Sequence, residues 1–187
     1  VLPRKGKLGL TRILFPSTRN PAFCEKYILR NTGESVVSVE IPSSRSVIGT
    51  DPAKGVEGSY KLVSTINGQV ARQLQPGEEL TFSATFAGYK KDENEQLFDI
   101  EQELQARQAL IAGFWDKLVL DTPDPVINTM FAFAKIRGAE SIYDTKGGLM
   151  HGPGGESYYA AIWANDQAEY INPFFPYLGY EIGNRSA

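Results

Sequence analysis

An indole, an imidazole and two carboxylates stand close together near the end of the chain, among aromatic and amide side chains: His151, Tyr158-Tyr159, Trp163-Ala164-Asn165-Asp166 and Glu169-Tyr170. Sugar rings present apolar C–H faces and hydroxyl edges, so aromatic planes combined with carboxylates and amides that bond in pairs suit them. Trp163, Asp166, His151, Glu169 and Tyr159 are therefore candidate substrate contacts. If a helix begins near Asn165, then Asp166, Glu169 and Tyr170 lie about one turn apart close to its N-terminus, where carboxylates also suit the helix dipole. The same residues read equally well as a helix cap with core aromatics.

Other chemistries are poorly supplied. Between Gly147 and Gly155 the chain has five glycines and Pro153, a loop whose backbone could approach a ligand closely. It lacks the Gly-Lys-Ser/Thr of a phosphate loop and the G-x-G-x-x-G of a dinucleotide fold. With one histidine, a multi-histidine metal centre is ruled out, and His151 is left as a polar contact or a satisfied loop residue. One cysteine, Cys24, makes neither an intrachain disulfide nor alone a zinc site, and reads as a small buried hydrophobe. No cofactor is called for.

The elements that must position these groups change character near Asp92. Before it, short strands alternate with turns. Phe23–Leu29 is bounded by Asn31-Thr32-Gly33, and Val37, Val39 and Ile41 alternate with Ser38 and Glu40. Tyr60–Ile66 meets Asn67-Gly68, which predicts a tight hairpin with Gln69–Leu74. Gln75-Pro76-Gly77-Glu78 makes another reversal, after which Leu80, Phe82, Ala84 and Phe86 share one face. Pro42 to Gly58 reads as a surface loop, and the basic residues of the first twenty, Arg12 and Arg19 among them, as a solvated edge.

After Asp92 the period becomes helical. Leu97, Ile100, Leu104, Ile111, Trp115 and Leu118 predict a helix of about 25 residues, capped by Asp92 with Glu95 and ended near Asp121 by Thr122-Pro123-Asp124-Pro125. Asp124 and Pro125 then start a mainly apolar helix running to Tyr143 and stopped by Lys146-Gly147-Gly148.

A β-sandwich, a linking helix, a helix introduced by Asp121-Thr122-Pro123-Asp124-Pro125, a glycine-rich loop, then Gly155-Glu156-Ser157-Tyr158-Tyr159 and Trp163-Ala164-Asn165-Asp166 together resemble the six-hairpin, (α/α)6-barrel glycoside hydrolases and their phosphorylase relatives. The resemblance implies an α+β fold: an N-terminal antiparallel β-sandwich over residues 1–92, a linker helix over 93–122, and the first helices of an incomplete (α/α)6 barrel over 123–187. It implies that Trp163 and Asp166 contact the sugar, with His151 and the Gly152–Gly155 loop at the rim. Such a barrel needs roughly twelve helices of 10 to 20 residues, whereas about 65 residues follow Asp121. The family's general acid is accordingly expected outside this chain. The expected function is part of a carbohydrate-active enzyme that hydrolyses glycosidic bonds. The alternatives are part of a glycoside phosphorylase or a non-catalytic carbohydrate-binding or scaffold module.

Composition bounds the partners. The 187 residues, 42% apolar and 22% charged, suffice for a packed core, and a net charge of -3 gives no general attraction to nucleic acid or anionic lipid. No apolar run approaches the roughly 20 residues of a membrane helix. The expected partners are an oligosaccharide or glycoside and the remainder of a longer polypeptide, since the chain begins with Val. A bacterial periplasm or secretion is favoured slightly over the cytoplasm.

Overall fold

A computed structural model of the chain describes residues 8–55, 57–68, 70–145, 147–152 and 162–179. Two compact units emerge, Val1–Gln108 and Ala109–Ala187. The fold class is α+β, with antiparallel sheets and a few helices.

The first unit is built from β1 (Leu8–Pro16), β2 (Ala22–Asn31), β3 (Val37–Ile41), β4 (Ser44–Gly49), β5 (Tyr60–Asn67), β6 (Val70–Leu74) and β7 (Glu79–Lys90). Five form one sheet in the order β1-β2-β7-β5-β4, and β3 pairs with β6 as a second, two-stranded sheet. Directly opposed residues share a face, so the register Phe23↔Phe86, Glu25↔Ala84, Tyr27↔Phe82 and Leu29↔Leu80 extends the alternation of β7 across β2. The β3–β6 ribbon packs on one end of this face, where Val39, Leu74 and Leu80 are buried among Leu29, Val37, Ile41 and Val70. That arrangement makes a sandwich with layers of unequal width.

On the opposite face Val63, Ala87 and Tyr89 pack with Ala22 and Phe98. The segment leading into α1 (Ile100–Trp115) lies over this side. Glu95 is held by Arg45 at 2.7 Å and Lys61 at 3.3 Å, and Glu101 by Lys26 at 2.5 Å. Asn31, fully buried, donates from Nδ2 to the carbonyls of Ser35 (2.8 Å) and Leu74 (2.9 Å) and accepts from the Gly33 N–H, tying β2 to the end of β6.

Several expectations change in register or length. The tight hairpin at Asn67-Gly68 does not form: β5 pairs with β4 and β7, while β6 crosses to β3. Gly68 is required there for close approach, because a Cβ would fall 2.9 Å from the Ile41 carbonyl oxygen. The stretch read as a surface loop contains β4, the edge strand opposite β1. The basic edge expected of the first twenty residues is present at Arg12 and Arg19, both exposed, and Arg12 on the edge strand β1 also bonds to Glu25 of β2. The long helix is shorter than its periodicity suggested. It starts after Asp99, whose Oδ1 accepts from the N–H groups of Glu101 and Gln102, because Glu95 is committed to Arg45 and Lys61. It stops at Trp115, ahead of Leu118 with its positive φ of 47°.

The second unit contains the end of α1, then α2 (Pro125–Glu140), the hairpin β8 (Ile142–Thr145) and β9 (Gly148–His151), a π-helix (Asp166–Ile171) and α3 (Phe175–Leu178). The start of α2 follows the sequence: Asp124 caps it, accepting from the Val126 N–H at 2.8 Å, with Pro125 in the first turn. Its end does not. Ser141 closes the helix, and Gly147-Gly148 serves as a hairpin turn with Gly148 at φ 112°. Phe114, Phe175 and Leu178 form the core, with Ala139, Ile142 and Phe174 against them.

Candidate functional site

His151 is the last residue of β9 and lies opposite Ile142 in the hairpin register. Because opposed residues share a face and Ile142 packs against the Phe114–Phe175–Leu178 core, the imidazole is drawn inward and is 8% exposed. Burial holds its pKa below the usual histidine value, and the nearby Asp166 carboxylate pulls in the opposite direction. The structure therefore brings together two of the residues that sequence spacing put fifteen positions apart. The packing of β9 on the π-helix is what joins them.

Helical structure begins at Ala164 and passes into the π-helix at Asp166. The helix expected near Asn165 is thus present, in a different form. A π-helix closes its hydrogen bonds five residues on, so a step of three residues falls well short of a turn. Glu169 consequently does not share the Asp166 face. Asp166 is half-buried beside His151, while Glu169 is exposed. π-Helices are uncommon and concentrate at functional sites, where the widened turn re-aims a side chain.

Trp163 precedes this turn with its side chain 49% exposed, neither a core aromatic nor fully in solvent. Tyr159 and the Pro153–Gly155 part of the glycine-rich loop lie outside the described residues. Gly152 is described, and its lack of a side chain is functional for packing: a Cβ would sit 2.5 Å from Cε2 of Tyr143. That ring, 47% exposed on β8, is an aromatic neighbour of the His151 end that the sequence reading missed. The glycine after the only histidine was the available signal.

Lys135 of α2 was also missed, read only as part of an apolar helix. Its ammonium is 3% exposed and donates to the carbonyls of Trp115 (3.0 Å) and Lys117 (2.5 Å), capping the C-terminal end of α1. Lys117 in turn donates to the Leu178 carbonyl, so two lysines lash α1, α2 and α3 around the core that supports His151.

Chemically, the corner offers an exposed indole for a C–H face and a carboxylate with an adjacent imidazole for hydroxyl groups. Among the described residues no cluster of three or more His, Cys, Asp or Glu could hold a metal ion. No described helix is long and apolar enough to cross a membrane.

In chain order, an unequal antiparallel sandwich is followed by a second unit of helices and a short hairpin that carries these residues. Among solved structures the chain is similar to a protein from the human microbiome named as a kojibiose phosphorylase, with a TM-score of 0.64 over 97% of this chain at 10% identity. The match takes in 32% of that protein, so this chain spans about a third of its length. At such identity the likeness is one of fold. No protein-family model and no curated protein matches the sequence.

Proposed function

We propose that this chain is the sandwich and first barrel helices of an enzyme that cleaves glycosidic bonds, and that it supplies sugar contacts rather than the complete catalytic pair. Trp163 stacks on a sugar ring, Asp166 and His151 bind its hydroxyls, and Glu169 and Tyr159 are further candidate substrate contacts. The observation that supports the reading is the packing of β9 on the π-helix, which brings the Asp166 carboxylate within charge interaction of His151, with the exposed Trp163 three residues ahead of Asp166 in the chain. The fold neighbour's name favours phosphate over water as the acceptor, against the hydrolysis expected from the sequence. Residues 93–122 act as the linker between sandwich and barrel.

Asp166 and Glu169 are poor candidates for the two opposed carboxyl groups of an inverting reaction, which stand about 6.5 to 9.5 Å apart across the scissile bond. The general acid belongs to the rest of the polypeptide. Purified residues 1–187 should therefore turn over no glycoside, with water or with phosphate.

Binding is read through Trp163 in a Trp115→Phe background. Glucose disaccharides should change its fluorescence, and Asp166→Asn should weaken the response at least tenfold. No response in the folded chain, or an undiminished one in Asp166→Asn, overturns the assignment. Binding that survives deletion of residues 121–187 would place the sugar on the sandwich instead, as in a non-catalytic module.

A further inference from the structure

The connection from β1 to β2 and the segment that leads from β7 into α1 meet at an open cleft of about 430 Å³, wholly within the first unit. Ala87 and Tyr89 of β7 and the ring of Phe98 supply its apolar lining, as part of the cluster that also holds Val63 and Ala22.

Both polar segments are fixed in place. Ser17 Oγ accepts from the N–H groups of Arg19 (3.2 Å) and Asn20 (3.0 Å), and the Pro21 carbonyl accepts from the Gly88 N–H at 2.9 Å, so this turn is held against β7. On the other segment Glu93 Oε2 accepts from the Lys90 N–H at 2.8 Å, and the Tyr89 hydroxyl accepts from the Gln96 N–H at 3.1 Å. A cleft whose backbone is already ordered loses little conformational freedom when a ligand enters.

Hydrogen-bonding capacity remains on both segments. Among the described residues, the guanidinium of Arg19 and the side-chain amides of Asn94 and Gln96 have no partner. Asn20 engages only its Nδ2, 3.5 Å from Glu103 Oε1, and keeps its amide oxygen; Glu93 keeps Oε1.

This mixture of donors and acceptors selects the ligand class. A simple anion has only acceptors and would meet the Glu93 carboxylate, while a simple cation has only donors and would meet Arg19. A hydroxyl group both donates and accepts, and amides beside a guanidinium and a carboxylate serve it in either sense. The apolar lining suits the C–H faces of a ring, and the volume is within the range of small-ligand sites.

We propose that this cleft is a second saccharide site, carried by the sandwich and taking a neutral mono- or disaccharide. Arg19, Asn94 and Gln96 bind its hydroxyls, and Phe98 lies against its carbons. The site is separate from the Trp163 corner, which belongs to the other unit, and rests on none of that corner's residues.

Proton–nitrogen correlation NMR of the full chain reads the cleft directly. With a panel of glucose, galactose and mannose disaccharides, the side-chain signals of Arg19, Asn94 and Gln96 should shift together for at least one sugar. Arg19→Ala and Gln96→Ala change exposed side chains, and each should weaken that binding at least tenfold with the rest of the spectrum in place. Should either variant lose the native spectrum, Arg19→Gln and Asn94→Ala take its place. Asp166→Asn should leave the cleft shifts unchanged, just as Arg19→Ala should leave the Trp163 fluorescence response unchanged. Cleft shifts without a Trp163 response retain this site and reject the corner, and a Trp163 response with a silent cleft does the reverse. Sugar binding that persists without residues 121–187 and is lost with Arg19→Ala is likewise the cleft's own. Signals that stay still across the whole panel overturn the proposal, as do shifts that follow phosphate or glycine rather than sugar, and binding indifferent to both substitutions.

Discussion

The guanidinium of Arg12 on β1 grips the carboxylate of Glu25 on β2 with two nitrogens, Nη2 to Oε1 at 2.5 Å and Nε to Oε2 at 3.2 Å, while the Tyr27 hydroxyl donates to the same group. The Tyr27 ring stacks on Phe82 of β7 at 4.7 Å between centroids, so the three groups bind β1 to the centre of the sheet.

Removing the charge at Glu25 should destabilise the first unit. Its side chain is 5% exposed, and charge-assisted bonds of this kind contribute about 1.5 to 3 kcal/mol. Burial raises its pKa, but the bonds from Arg12 and Tyr27 outweigh it, and the net shift is downward. A carboxylate depressed in the folded state adds stability that is present above its unfolded value of 4.5 and is lost as pH falls through the lower folded value. Urea denaturation should therefore separate wild type from Glu25→Gln at pH 7, with the difference shrinking below about pH 4.5.

His151, the single histidine, gives an isolated imidazole signal in NMR titration. Its midpoint should lie below 6.5, and Asp166→Asn should move it lower still, because the carboxylate favours the charged ring. An unmoved midpoint would separate the two residues. Through linkage, a depressed histidine costs stability as pH falls from 6.5 through the folded midpoint, so the second unit should weaken across that window.

Replacing Lys135 by Met keeps the length of the side chain but leaves the Trp115 and Lys117 carbonyls without their donor. A cost of about 1 to 3 kcal/mol is expected. Thermal denaturation should show it in the helical signal, while the β-sheet transition of the first unit stays in place.

Cys24 is fully buried on β2, and burial chiefly, with the Glu103 carboxylate adding to it, pushes its pKa up to about 11. The native thiol should be inert to iodoacetamide at neutral pH and become reactive only when the first unit unfolds. Rapid labelling of the folded protein would contradict this burial.

Local chemistry made part of this architecture legible. The alternation of Val37, Val39 and Ile41, the shared face of Leu80 to Phe86, the turn at Gly77 and the Asp124–Pro125 helix start all depend on neighbours within a few residues, and each appears in the structure. Pairing partners were decided elsewhere. A strand pattern specifies which face is apolar but not which strand lies beside it, so nothing local told Gly68 to cross to Ile41 rather than turn back on β5. The same holds for Arg12 with Glu25, and for Glu95, taken from a helix cap by two cations of β4 and β5.

At the candidate site, residue types alone nominated Trp163, Asp166 and His151, because the sugar-binding chemistry of a side chain belongs to its atoms. Their arrangement required the second unit as a whole. The hairpin turns His151 inward opposite Ile142, and the π-helix sets Asp166 beside it while carrying Glu169 away. Those outcomes follow from contacts between segments far apart along the chain, and hydrophobic periodicity, which reports only one segment at a time, does not contain them.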